Sequence, residues 1–432
     1  MVANDPLASV QARGYADTMN MSRSAGAFVK RVVLQNYKSI ESCDVELHAL
    51  SLLVGPNGSG KSNFLDALRF VAESLRSTTD QALRERGGIR EVRRRSRGHP
   101  THFKIGLSLG LPQDDAAEYS FRVGAKQKGG FEIQEEVCRI SSAAGVVKGE
   151  YVVQDGAVQS ASFSPRPPAS DQRLYLQIAS GFPVFEVLYR SLTGMGFYNI
   201  NPQQLRELQD PDSGDLLRRD GSNAASVLVA LSMRDARIKQ RIEAYLGQIV
   251  PGVVSVDRKV LGHKETIDFK QTVAGDQSPW SFTAQNMSDG TLRAFGVLIA
   301  LFQCFDRPAA APIPLVGIEE PEVALHPAAA GILMDALREG SQYTQVAVTS
   351  HSPELLDTKD LDPEALLVVD ADRGRTVIAR VDEASISSLR DRLFTAGELL
   401  KLDQLKPRQD TGSAASRRNG DDEDLPLFKG KS

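Results

Sequence analysis

Leu50-Ser51-Leu52-Leu53-Val54-Gly55-Pro56-Asn57-Gly58-Ser59-Gly60-Lys61-Ser62-Asn63-Phe64-Leu65 combines three readings in one run. Residues 50–54 are a short apolar strand. Residues 55–62 fit G-x-x-x-x-G-K-[ST], a phosphate-binding loop. A helix is expected from near Ser59 or Gly60, because Phe64, Leu65, Leu68, Phe70 and Val71 follow a helical period. Strand, loop and helix in this order distinguish a phosphate loop from a chance glycine turn. The glycines allow a tight turn whose successive N–H groups face an anion, and the helix start adds its positive end. The nucleotide-binding candidates here are Asn57, Gly58, Ser59, Gly60, Lys61, Ser62 and Asn63. Lys61 is placed for the β- and γ-phosphates and Ser62 for Mg²⁺.

Far downstream, the apolar run at 313–318 ends in Glu319-Glu320-Pro321-Glu322. Glu319 stands where a Mg²⁺-associated carboxylate belongs, and Glu320 where a water-polarising base belongs. The alternative is a pair of helix-start glutamates before Pro321. Most such strands end Asp-Glu. The longer Glu319 still reaches the metal, directly or through water, and slow turnover is expected. A further buried strand at 345–349 precedes His351, positioned to contact a γ-phosphate. Ser288-Asp289-Gly290 opens a helix expected over 291–305. That helix start is either an anion site or a simple N-cap by Ser288 or Asp289. The phosphate loop and acidic strand together imply ATP hydrolysis with Mg²⁺. The loop already covers one side of the nucleotide, so a second anion site implies a second protomer closing over ATP.

The rest of the chain bounds this reading. Its 432 residues suffice for two or three domains. With 41% hydrophobic and 25% charged residues it has the balance of an ordinary soluble protein. A net charge of −4 gives no bulk reason to expect nucleic acid, so any such surface must be local. Cys43, Cys138 and Cys304 form neither a disulfide framework nor a zinc pattern, as in a reducing cytoplasm. The longest apolar run, 296–305, is too short to span a bilayer.

The expected organisation is a disordered leader at 1–28, an N-terminal lobe with the phosphate loop at 29–100, and an antiparallel β insertion at 101–182. A helical region with the Ser288 motif follows at 183–295, then a C-terminal lobe at 296–405 and a disordered tail at 406–432. Arg84, Arg86, Arg90, Arg93, Arg94, Arg95 and Arg97 crowd one short span. They suit DNA phosphates, acidic groups in a dimer or partner, or a solvated face.

As a set these motifs resemble ABC-type ATPases of the SMC/RecF/OLD class. The resemblance is carried by Asn36-Tyr37-Lys38-Ser39-Ile40, the run 53–68, Ser288-Asp289-Gly290-Thr291, Ile318-Glu319-Glu320-Pro321-Glu322 with Leu325-His326-Pro327, and Thr349-Ser350-His351-Ser352-Pro353. It covers about residues 29–400. It implies an α/β fold: an ABC-type P-loop NTPase head with an antiparallel β region and a helical signature subdomain. It also implies a head-to-head homodimer over two ATP molecules. Ser288 and Gly290 would reach the γ-phosphate in trans, and 322–327 would couple the sites. Signatures of the wider class often continue Ser-Gly-Gly-Gln, from which Asp289 and Thr291 depart. The class has a glutamine on Mg²⁺, for which Gln203 or Gln204 is the candidate.

The long heptad insertion of SMC proteins is missing here. Asp370-Ala371-Asp372 lacks the context of a TOPRIM metal pair, since a strand follows directly. The expectation is a stand-alone ATP-driven switch in DNA maintenance or anti-phage defence, acting on duplex DNA or with a separately encoded effector. The rivals are an ATP-gated module controlling a toxin or nuclease with incidental turnover, and, more remotely, a transporter ATPase subunit.

Overall fold

The computed structural model describes residues 28–95, 100–305, 313–358 and 361–408. The expected leader and tail lie almost wholly outside the described residues, as does Arg97.

β1 (Phe28–Tyr37) and β2 (Ile40–Glu46) form a hairpin with Tyr37 opposite Ile40. β3 (Leu50–Val54) leads through the phosphate loop into α1 (Lys61–Arg76). The helix starts later than Ser59 or Gly60 because Gly60, at its N-cap, is left-handed (φ 105°). The arginine-rich span folds into two short helices, α2 (Thr79–Arg84) and α3 (Ile89–Val92). An antiparallel meander follows: β4 (His102–Gly110), β5 (Ala116–Ala125), β6 (Phe131–Ser141), β7 (Val147–Gln154) and β8 (Ala157–Ala161). β4 pairs with β1, from Phe28 opposite Gly110 to Gln35 opposite Lys104, so the meander extends the main sheet.

Next come α4 (Leu176–Ala179), α5 (Pro183–Gly194), β9 (Gly196–Tyr198), α6 (Pro202–Arg206), α7 (Ala224–Arg234) and α8 (Ala236–Ile249). β10 (Val253–Leu261), β11 (Lys264–Gln271) and β12 (Trp280–Thr283) make a second, three-stranded sheet. α9 (Asp289–Phe302) begins two residues before the expected start, with Ser288 as its N-cap. The last part contains β13 (Leu315–Glu319), α10 (Ala330–Gly340), β14 (Gln345–Ser350), α11 (Pro353–Leu356), β15 (Leu366–Asp372), β16 (Arg375–Arg380), α12 (Glu383–Arg390) and α13 (Ala396–Lys401).

The large sheet runs β8-β7-β6-β5-β4-β1-β2-β16-β15-β3-β14-β13-β9. β3, β14, β13 and β9 are mutually parallel. Strands covered on both faces read as near-continuous apolar runs, as 52–54 in β3, 346–348 in β14 and 315–318 in β13 do. Their side chains divide between two cores. Leu53, Ala347 and Leu315 join α1 on one face. Leu52, Val54, Val346, Val348, Val316 and Ile318 join α7, α8, α9 and α10 on the other. Among the described residues no helix is long and apolar enough to cross a membrane.

Candidate functional site

Parallel pairing assembles the site. Leu53 pairs with Thr349 and Thr349 with Glu319, so three strands end level. The phosphate loop leaves β3, His351 follows β14, and Glu319 and Glu320 close β13. With about 5 Å between neighbouring strands, residues nearly 300 apart in sequence share one edge.

The loop is held by a directed chain of hydrogen bonds. Asn63 Nδ2 donates to Ser39 Oγ (2.7 Å), and Thr376 Oγ1 donates to the Ser59 carbonyl (2.7 Å). The hydroxyl of Ser39 then donates to Thr376 Oγ1 (2.6 Å), because Thr376 has a single proton to give. Thr376 also fixes Gly60. A Cβ there would lie 2.1 Å from Thr376 Oγ1, on a backbone at φ 105°. Left-handed strain and overpacking together predict that Gly60→Ala costs about 2–4 kcal/mol. Chemical denaturation of the variant checks this, and an unchanged midpoint would refute the packing account. Gly58, at φ 77°, faces open space, leaving the loop crest accessible.

Lys61 is buried and its ammonium donates to the carbonyls of Gly55 and Pro56, both at 2.9 Å. Burial lowers its pKa, against the opposing pull of Glu320 and Glu322. Glu320 sits at φ 45°, its N–H bonded to the Thr349 carbonyl (2.9 Å). Its carboxylate is 3.2 Å from His351 Nδ1, which is buried without an aligned hydrogen bond. Glu322 turns inward. Its Oε1 accepts from Ser350 Oγ (2.6 Å) and the His351 N–H (3.3 Å), while Oε2 is buried without a partner. Burial raises the Glu322 pKa, and the Ser350 hydrogen bond opposes it. Ser62 is exposed at the start of α1. The unsatisfied atoms beside a primary ammonium, an open glycine-rich crest and a row of carboxylates fit a magnesium nucleotide.

Other candidates are placed differently. Gln203 is exposed on α6, where its backbone N–H donates to Asn201 Oδ1 (3.0 Å). The side chain that reaches Glu319 is Arg219, at 2.8 Å. Ser288 Oγ accepts from the Thr291 N–H at 3.2 Å, the N-cap arrangement, and the side chain is exposed. Gly290 packs on the segment after β13, where a Cβ would stand 2.3 Å from the Ala324 carbonyl oxygen.

Two features were not read from sequence. Arg293 on α9 lies within electrostatic reach of Glu320, Glu322 and Asp289, with its Nε buried and unpartnered. Burial depresses its pKa, and those carboxylates oppose this. As the only charged residue in 290–305, it stood out in an otherwise apolar helix. Behind the loop, Asp66 on α1 gathers Lys38 Nζ (2.6 Å), Arg69 (2.5 Å), Arg86 (2.9 Å) and the Tyr37 hydroxyl (2.8 Å). Burial alone would raise the Asp66 pKa, but Arg86, Lys38 and Arg69 outweigh it and hold the carboxyl well below the usual range.

The arginine run is divided: Arg86 and Arg94 turn inward, while Arg84, Arg90 and Arg95 stay exposed. The Arg86 side chain is 3% exposed between Asp66 and Glu73, and Arg94 is 9% exposed against Glu41. Arg84 and Arg95 are exposed but paired with Asp80 and Glu91.

Comparison with known proteins agrees with this architecture. The family model described as "AAA domain, putative AbiEii toxin, Type IV TA system" matches residues 50–139 and 199–357, more than half of the chain. Structural maintenance of chromosomes protein 1 of Schizosaccharomyces pombe is 27% identical over 132 residues, 28% of this chain and 11% of that protein. DNA replication and repair protein RecF of Vibrio campbellii is 42% identical over 41 residues, 9% of this chain and 12% of that protein. The matched segments thus span about a tenth of these relatives.

Two solved structures share the fold. An Smc head bound to the C-winged helix domain of ScpA has a TM-score of 0.51 at 14% identity, covering 82% of this chain and 97% of that one. A Pyrococcus furiosus Smc head with an extended coiled coil, bound to the C-terminal domain of ScpA, has 0.50 at 12% identity, covering 85% and 99%. The chain belongs to this AAA-domain family and has an SMC/RecF-like, ABC-type head fold.

Proposed function

We propose that the chain is an ATP-hydrolysing switch that closes as a homodimer over two ATP molecules and reopens on turnover. The supporting observation is the level ending of β3, β14 and β13, which groups Lys61, His351, Glu319 and Glu320. Lys61 exchanges the carbonyls of Gly55 and Pro56 for the β- and γ-phosphates. Ser62 and Glu319 would hold Mg²⁺, with Arg219 giving up Glu319, and the bound ion would neutralise charge on the phosphates. Glu320 accepts the proton of the attacking water, whose oxygen bonds to the γ-phosphorus as the bond to the β–γ bridging oxygen breaks. His351 contacts the γ-phosphate and lies against Glu320, and Gln203 remains a candidate only for a closed state. Ser288 and Gly290 of a second copy complete the site.

The output is DNA maintenance or anti-phage defence, with duplex DNA or a separate effector as partner. The RecF relative is named for replication and repair, and the family description names a toxin–antitoxin system. A second reading, gating of an effector with incidental turnover, is favoured by the Arg219–Glu319 pair, which a metal has to displace. Light scattering of Glu320→Gln tests the switch. ATP should double its mass, and ADP should not. A monomer at saturating ATP would refute dimer closure. Stimulation of wild-type hydrolysis by linear duplex DNA would favour the DNA-acting reading, and its absence the gating one.

A further inference from the structure

A cavity of about 560 Å³ opens beside the acidic strand end. Asn199 and Asn201 line it from the segment after β9, Arg218, Arg219 and Ser222 from the turn before α7, and Arg293 from α9. Two of these arginines connect it to the proposed chemistry. Arg219 holds Glu319 (2.8 Å), and Arg293 lies within electrostatic reach of Glu320, Glu322 and Asp289.

The lining selects an oxyanion. Three guanidinium groups outnumber the one lining carboxylate, Asp220, and planar N–H forks suit tetrahedral oxyanions. Arg218 is bound to Asp212 (3.1 Å), and both it and Arg219 are about half exposed, so each can swing between its carboxylate and a ligand. Arg293 also lines the cavity, and its Nε is a buried donor without a hydrogen-bond partner. Asn199, Asn201 and Ser222 supply neutral donors for remaining oxygens. Concave shape and volume suit a small anion with its water better than a nucleic-acid backbone, which needs an extended basic track.

We propose that this cavity is a receiving site for orthophosphate, taking the product released at Glu320 before it reaches solvent. The inference rests on the ATPase reading for its biological use but not for its test. Orthophosphate alone is titrated calorimetrically into nucleotide-free, Mg²⁺-free full-length protein, as wild type, Lys61→Ala, Arg293→Gln and Arg218→Gln. Wild type and Lys61→Ala should bind one phosphate with equal affinity. Arg293→Gln should weaken it at least tenfold and Arg218→Gln about threefold. Should Arg293→Gln fail to fold, as judged by circular dichroism, Arg218→Gln carries the test, since its side chain is half exposed.

Binding lost in Lys61→Ala but intact in both arginine variants would put the phosphate in the loop and overturn the proposal. So would the absence of saturable binding to wild type. Phosphate binding by a protein that does not hydrolyse ATP would leave the cavity assignment standing and remove the ATPase reading. Hydrolysis without cavity binding would do the reverse.

Discussion

Glu320→Gln is expected to lower ATP hydrolysis by about 10²–10⁴-fold while leaving ATP affinity at or above the wild-type level. The two effects separate because the carboxylate does different things in the two states. In the ground state it is a negative charge close enough to Lys61 to oppose the fall in that ammonium's pKa. Removing that charge does not weaken attraction for an anionic nucleotide. On the proposed mechanism it accepts the water proton in the transition state, a task an amide cannot perform. On the same proposal His351, with Nδ1 at 3.2 Å from Glu320, is engaged with the γ-phosphate and does not replace it. Single-turnover hydrolysis together with a fluorescent-nucleotide titration reads both quantities. Undiminished hydrolysis would show that Glu320 is not the base, and lost affinity would show that the carboxylate shapes the pocket.

Asp66→Asn is expected to destabilise the fold toward the lower end of the about 3–5 kcal/mol seen when one member of a buried ionic cluster is removed. The Arg86 side chain is 3% exposed, so it is left partly uncompensated, with Glu73 at 2.6 Å as its remaining carboxylate and the Ala82 carbonyl at 2.8 Å. The effect depends on pH. The folded-state carboxyl titrates below its unfolded value of about 3.9. Its contribution is therefore complete above that value and lost as pH falls through the folded one. Wild-type stability should drop more steeply than that of Asp66→Asn between about pH 5 and pH 2, so the gap between them narrows. Denaturant titrations across that range would contradict the account if the two curves ran parallel.

These two residues mark how far the sequence could be read. Glu320 was accessible from local pattern, because strand, acidic end and proline are contiguous. The same held for the phosphate loop and for His351 after its strand. The parallel pairing that joins them was not read from the sequence and is seen only with β3, β14 and β13 side by side. Asp66 was not accessible, since its partners Lys38 and Arg86 lie 28 and 20 residues away and meet it only after β1 and α2 fold onto α1. The arginine run suggested a surface because sequence cannot show that Glu41 lies beneath Arg94, nor that Asp66 and Glu73 lie beneath Arg86. β9 escaped notice because three residues carry no period. Thr376 and Arg219 act on the site from segments with no nucleotide-binding pattern. Gln203 was assigned by class resemblance alone, and in this fold Arg219 takes the neighbouring carboxylate.

We propose one working ATPase site that Lys61 and Glu320 share. Its most direct test is orthophosphate release from Mg-ATP by purified wild-type protein, with Lys61→Ala prepared identically as the blank. Steady release by the wild type and none by the variant is the predicted result. Release at the same rate from both, or from neither, would contradict it.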